Sequence, residues 1–195
     1  MKKTVNIYII NTDTLEGREE SLTSVIPPLY VEKYNKAKQI SVKRQELGAG
    51  LLLSKVLGIS RDEDLVIGVH GKVDSKDGQH FNLSHADNYV ALAVADEELG
   101  VDIERVDRLK LKTLRRVLPA DYYADVEKGD TTAWGKAWTE VEAILKAIGD
   151  GFTLDPRNSP DFMEGWYVDG VLYNGTHYIS IAMRNEFELN IETQE

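Results

Sequence analysis

Two carboxylates two residues apart, Asp102 and Glu104, are the first groups in this sequence that point to chemistry. In Val101 to Glu104 apolar and acidic side chains alternate with the period of a strand, so Asp102 and Glu104 leave on one face and Val101 and Ile103 on the other. Further on, Trp134, Trp138, Val141, Leu145 and Ile148 recur at helical spacing, and Glu142 and Lys146, one turn apart, border that apolar stripe. Three carboxylates brought together without a cation repel one another, whereas hard oxygen ligands with open positions suit Mg2+, which commonly bridges a few carboxylates and substrate phosphates. Asp102, Glu104 and Glu142 are therefore candidate metal ligands, with the Lys146 ammonium beside them.

Upstream lies Phe81-Asn82-Leu83-Ser84-His85. A Ser-His strand, then Gly100-Val101-Asp102-Ile103-Glu104, then the helix from Trp138 through Glu142-Ala143 to Lys146, resemble in order and spacing the motifs of the 4'-phosphopantetheinyl transferase family, in its larger, surfactin-synthetase-activating type, over roughly residues 30 to 155. There are departures: Val141 stands where that family usually has Lys, Ala86 follows Ser84-His85 where Ser is common, and Val73 follows Gly71-Lys72 where the family has Pro. The resemblance implies transfer of the 4'-phosphopantetheine arm of coenzyme A to a serine of an apo acyl or peptidyl carrier protein, with Mg2+ as cofactor and 3',5'-ADP released. It further implies that Asp102, Glu104 and Glu142 hold the Mg2+, that Glu142 takes the serine proton directly or through water, and that Lys146 neutralises charge on the bridging phosphate. Ser84 and His85 would then contact the coenzyme's phosphates, Arg44 with Lys33 and Lys36 would hold the 3'-phosphate, and Lys72 would lie close to the nucleotide. By residue type alone His85 also reads as a core-edge histidine satisfied by backbone, and Lys33 and Lys36 as solvated surface. The same carboxylates would serve a Mg2+-dependent hydrolase of nucleotide pyrophosphates with water as nucleophile; a non-catalytic binder of coenzyme A or of a carrier is a third reading.

The composition sets the frame for these groups. At 195 residues and 42% hydrophobic, the sequence can bury one substantial core or two small ones and is too polar for a membrane protein. Val5 to Ile10 is a short apolar run broken by Asn6 and reads as a first strand rather than a leader. There is no cysteine, which excludes disulfides and thiolate metal sites and fits a cytoplasmic protein, and the four histidines show no metal-ligand spacing. A net charge of -10 argues against nucleic-acid binding. On this acidic background lie two basic islands, one from Lys33 to Arg44 and one holding Arg108, Lys110, Lys112, Arg115 and Arg116. They suggest two local anionic partners, the second island offering Arg108, Lys112, Arg115 and Arg116 to an acidic carrier; either island alone reads as well as a solvated face.

Along the chain, the spacing predicts a turn at Ile26 to Leu29 opening a helix, a long helix over Ala37 to Leu57 stopped by Gly58, and strands at 65–69, 81–84 and 89–95, with a charged turn over 71–78 and a hairpin tip at Asp87-Asn88. A helix is predicted over Arg108 to Leu118, another over Ala120 to Glu127, then the motif helix ending at Gly149-Asp150-Gly151, then strands with turns at Asp169-Gly170 and Asn174-Gly175. The last third also repeats the first. Tyr89 to Val94 matches Tyr178 to Met183, Asp102-Ile103-Glu104 matches Asn190-Ile191-Glu192, and Lys55 to Gly58 matches Lys146 to Gly149, all at nearly one offset. The expected fold is therefore α+β, with two similar α+β halves, 1–105 and 106–195, about a pseudo-twofold axis. A single site would lie between them in a monomer, because the second copy of the strand motif keeps only one carboxylate.

Overall fold

The computed structural model describes residues 2–68, 71–149, 154–159 and 161–194. In chain order it holds β1 (Lys3–Asn11), α1 (Glu19–Leu22), α2 (Pro28–Lys36), α3 (Ile40–Leu57), β2 (Leu65–Ile67), β3 (Val73–Ser75), β4 (His80–Ala86), β5 (Tyr89–Ala95), β6 (Leu99–Arg105), α4 (Leu111–Leu114), α5 (Ala120–Val126), α6 (Thr131–Ile148), β7 (Tyr167–Tyr173), β8 (His177–Met183) and β9 (Phe187–Gln194), joined by short 3-10 turns. The mixed α+β class expected of the sequence is what is seen.

Strand alternation builds the layers. One sheet runs β4-β5-β1-β9, antiparallel except for the parallel β1–β9 pair, and a second runs β6-β8-β7, antiparallel throughout. Val5, Ile7 and Ile9 of the first face Val101, Ile103, Ile179 and Ile181 of the second, all fully buried or within 1% of it. The opposite faces take the two long helices: Leu47, Leu51 and Leu52 of α3 cover Ile10, Val90 and Leu92, and Ala137, Val141 and Ile144 of α6 cover Ala182 and Val168. Each fully buried Val, Leu or Ile among these contributes roughly 1.5–3 kcal/mol. Because β6 alternates, Asp102 and Glu104 emerge on the face that α6 covers. Gly100 lets that helix come close, since a Cβ there would sit 2.0 Å from the carbonyl oxygen of Ala143.

Several local expectations are corrected. Arg108 to Leu118 is not one helix: only Leu111–Leu114 is α-helical, flanked by turns, and Pro119 closes the segment. Asp169-Gly170 is not a turn but lies inside β7, where Gly170 is needed because a Cβ would meet the carbonyl oxygen of Ile179 at 2.3 Å. Within 71–78, expected to be all turn, Val73–Ser75 pairs with Leu65–Ile67. The long helix starts at Ile40 rather than Ala37, following a separate α2. Asn174-Gly175 is the expected hairpin turn, with φ of 49° and 68°, and Asp87 at the other hairpin tip has φ 51°. Val69, at the end of an expected strand, and Asp150-Gly151, at the expected end of α6, lie outside the described residues; Gly149 ends that helix at φ 78°.

Candidate active site

β4 and β6 are edge strands of different sheets lying side by side, and α6 crosses β6 on its outer face. Asp102 is 6% exposed, and its Oδ1 accepts hydrogen bonds from Lys146 Nζ at 2.7 Å and Ser84 Oγ at 2.9 Å. Lys146 Nζ also donates to Ser84 Oγ at 2.7 Å. Glu104 is half-buried, with Oε1 taking the Arg105 N–H at 2.8 Å. Glu142 stands one turn before Lys146 on α6, within electrostatic reach of both strand carboxylates. Burial raises its pKa to about 7, and the charges of Asp102 and then Glu104 add to that while Lys146 opposes it. Glu104 is likewise raised, first by burial and then by Asp102 and Asp87. The strand and helix motifs thus do bring Asp102, Glu104, Glu142 and Lys146 into one site.

Whether these residues fit Mg2+ is answered by their chemistry. Among the described residues no three His, Asp or Glu side chains converge tightly enough to cage a metal ion by themselves. Each raised carboxylate here is raised in part by its acidic neighbours, with Lys146 opposing at Glu142 and Arg108 at Glu104 without cancelling the shift. Mg2+ asks for only one or two protein carboxylates, its other positions going to water and phosphate oxygens, and this donor set meets that need.

Beside the acids opens a cleft of about 190 Å³ lined by Tyr30, Lys33, Glu46, Lys72, Asn82 and His85 among others. His85 follows Ser84 on β4 and so looks out the opposite face, into the cleft. Burial holds its imidazole below the ordinary pKa, with Glu46 opposing and Lys146 reinforcing that shift. Lys33 Nζ lies 4.5 Å from the Tyr30 ring centre, and the Lys72 stem passes 3.4 Å from the place a Cβ on Gly149 would occupy, so it reaches toward the end of α6. Lys33, Lys72 and His85 therefore share one cleft. Lys36 does not join them; it is exposed and paired with Glu32 at 2.5 Å.

Arg44 is also elsewhere. It binds Glu19 at 3.0 Å and Glu16 at 3.3 Å and faces a different cleft, with Asp87, Asn88 and Arg108. Arg108 pairs with Asp87, which also meets Arg105 at 3.3 Å and His177 at 3.5 Å, while Lys112, Arg115 and Arg116 are exposed. Val141 is fully buried against Leu114, Leu118 and Ala182, so the lysine missing at this position would have entered the core rather than the cleft. Trp134 and Trp138 pack in the same cluster, as their spacing predicts. Sequence reasoning overlooked Asn82 and Glu46. Asn82 was findable, since it lies two residues before Ser84 on a strand and so shares its face.

No family model matches the sequence. The chain is similar to curated 4'-phosphopantetheinyl transferases. It is 31% identical over 84 residues to the 4'-phosphopantetheinyl transferase gsp of Aneurinibacillus migulanus, covering 41% of this chain and 35% of that protein. To psf-1 of Bacillus pumilus it is 33% identical over 78 residues, covering 38% and 34%. To Sfp of Bacillus subtilis it is 29% identical over 79 residues, covering 38% and 35%. The matched stretch thus spans about a third of the length of these relatives. They carry the name of the family that the Ser-His, Asp-x-Glu and Glu-Ala-x-x-Lys motifs resemble.

Proposed function

We propose that this chain is a 4'-phosphopantetheinyl transferase, moving the phosphopantetheine arm of coenzyme A onto a serine of an apo acyl or peptidyl carrier protein and releasing 3',5'-ADP. The observation that carries this reading is the meeting of Asp102, Glu104, Glu142 and Lys146 beside a cleft that holds Lys33, Lys72 and His85. In it the cleft takes the nucleotide, with His85, Lys33 and Lys72 toward its phosphates. The pyrophosphate then reaches Lys146, whose ammonium neutralises charge on the bridging oxygen as the P–O bond breaks. Glu142, raised to about 7, suits a base that must accept the serine proton at neutral pH. Asp102 and Glu104, with Glu142, would hold Mg2+, which when bound supplies neutralisation of the pyrophosphate.

Arg44 belongs to the 3'-phosphate site in this proposal only by releasing Glu16 and Glu19, and Lys36 only by leaving Glu32. The carrier docks on the exposed Lys112, Arg115 and Arg116 together with Arg108, a local basic face suited to an acidic partner of an enzyme with net charge -10. The protein works as a cytoplasmic monomer; among the described residues no helix is long and apolar enough to cross a membrane. Residues 1–105 and 106–195 are read as two similar halves about a pseudo-twofold axis. The exchange of their closing strands, β6 into the sheet of β7 and β8 and β9 into that of β1, supports this division.

The test is incubation of purified apo-carriers of the fatty-acid, polyketide and peptide-synthetase types with this protein, coenzyme A and Mg2+, followed by mass spectrometry. A gain of one phosphopantetheine mass on a carrier is expected. Hydrolysis of coenzyme A with every carrier left unmodified would replace the transferase reading with that of a pyrophosphate hydrolase.

A further inference from the structure

Ser84 and His85 are neighbours in sequence but face opposite sides of β4. His85 looks into the nucleotide cleft; Ser84 is 5% exposed and looks toward β6. A hydroxyl has one proton to give and two lone pairs to receive. In Ser84 all three are used within the protein: Oγ donates to Asp102 Oδ1 at 2.9 Å and accepts from Lys146 Nζ at 2.7 Å and from the Ile103 N–H at 3.3 Å. Two residues earlier on the same face, Asn82 Oδ1 accepts the Val101 N–H at 3.0 Å. Val101 and Ile103 are the residues on either side of Asp102. Edge strands carry outward N–H groups that cost free energy when buried without a partner. Here two of those groups are met by side chains of β4 rather than by a backbone ladder.

We infer that Asn82 and Ser84 are positioning residues, forming a two-rung side-chain ladder that fixes Asp102 against Lys146. Ser84 and Lys146 both donate to Oδ1 of Asp102, so among the described residues Oδ2 is left for a cation. Loss of the Ser84 hydroxyl strands the Ile103 N–H and, among the described residues, leaves Lys146 only Asp102, so carboxylate and ammonium both wander. Displacements near 1 Å at reacting groups cost up to about 10²-fold in rate. The activity readout of this inference rests on the transferase reading; its labelling readout does not.

The experiment compares wild type with Ser84→Ala, Ser84→Thr and Asn82→Ala, each first checked for cooperative melting. In the transfer assay, Ser84→Ala and Asn82→Ala are expected to lower kcat by about tenfold or more while the KM for coenzyme A stays within about twofold, and Ser84→Thr, which keeps the hydroxyl, to recover most of the rate. The second readout needs no substrate. Pulse acetylation of the metal-free protein, mapped by mass spectrometry, should find Lys146 slow beside the exposed Lys36 in wild type, several-fold faster in Ser84→Ala and Asn82→Ala, and slow again in Ser84→Thr. A KM for coenzyme A raised about tenfold in Ser84→Ala at unchanged kcat would make Ser84 a phosphate ligand and overturn the inference. Lys146 labelling that does not change in Ser84→Ala or Asn82→Ala would overturn it as well, whether or not transfer is detected.

Discussion

α3 and α6 are built alike and used differently. Each runs 18 residues, ends on a left-handed glycine (Gly58 or Gly149) and lies on the outer face of one sheet. On α3 the buried-side charge is answered at once: Arg44, its side chain 15% exposed, is held by Glu16 and Glu19. On α6 it is left less fully answered, with Glu142 raised to about 7 beside Asp102 and Glu104 although Lys146 opposes that shift. Paired charge fixes a helix in place. Under the proposed function, the charge left short of a counterion on α6 awaits a ligand, so the same helix geometry would serve structure in one layer and chemistry in the other.

The sharpest way to break the comparison is at the glycines that seat the helices. A Cβ at Gly100 would lie 2.0 Å from the Ala143 carbonyl oxygen and 2.5 Å from the Ala147 nitrogen, both backbone atoms of α6 that cannot yield separately. Gly100→Ala is expected to cost more than about 3 kcal/mol of stability and to push Glu142 and Lys146 away from Asp102. Gly48 of α3 would place its Cβ 3.2 Å from methyls of Ile10, Thr12 and Val90. Crowding there is offset by the better helix propensity of alanine, so Gly48→Ala should stay within about 1 kcal/mol. Urea unfolding of the two variants measures this directly; equal losses would mean that α3 is seated as tightly as α6.

The next largest contrast lies between two glutamates. Glu142→Gln removes the proposed base and a metal ligand and should lower kcat by about 10²-fold or more, with the melting temperature unchanged or raised. Glu46→Gln, on α3 and facing the cleft proposed for the nucleotide, would remove a negative charge from the path of phosphates and should lower the KM for coenzyme A about two- to fivefold with kcat unchanged. Steady-state kinetics with varied coenzyme A separates the two, and a Glu46→Gln enzyme that loses kcat as Glu142→Gln does would put both glutamates in one role.

Glu142 also ties stability to pH. Its folded pKa of about 7 lies above the unfolded value of 4.5, so folding takes up a proton between these limits. The contribution of this group is most favourable below pH 4.5 and is lost as the pH rises toward 7, by an amount on the order of 2–3 kcal/mol. The melting temperature of wild type should therefore fall relative to that of Glu142→Gln between pH 5 and pH 7.5. Added MgCl2 should recover more of it at pH 7.5 than at pH 5, because a cation stabilises the deprotonated cluster. Parallel curves for the two proteins, with or without Mg2+, would show that Glu142 is not held against its charge.

Periodicity made the acidic strand and the motif helix legible, because Asp102 and Glu104 had to leave β6 on one face and Glu142 and Lys146 had to share a side of α6. The repeat of Tyr89 to Val94 in Tyr178 to Met183 pointed to two comparable hairpins, but not to which sheet each following strand would join. That choice depends on burial of Val101 and Ile103 against β1, a contact between residues nearly a hundred apart in sequence. Asp169-Gly170 looked like a turn because its residue types suit one, and only the passage of the Ile179 carbonyl explains why the glycine sits in a strand. Arg44 was placed with the phosphate-binding groups by resemblance alone; its partners Glu16 and Glu19 lie in a polar segment with no pattern to reveal them.

Arg44 therefore gives the smallest and most discriminating effect, set against His85. His85 faces the cleft with no carboxylate bonded to its ring among the described residues, although Glu46 stands near. Arg44 would have to give up two glutamates before it could meet a phosphate, and a charge-assisted pair of this kind is not surrendered without a gain of similar size. His85→Ala is accordingly expected to raise the KM for coenzyme A several-fold and to do so much less for 3'-dephospho-coenzyme A. Arg44→Ala should shift both constants by less than about twofold while lowering the melting temperature slightly, because Glu19 is left beside a helix that no longer holds it. Should Arg44→Ala instead discriminate between the two substrates as His85→Ala does, its glutamates are a resting partnership that the 3'-phosphate displaces, and α3 too carries charge for a ligand.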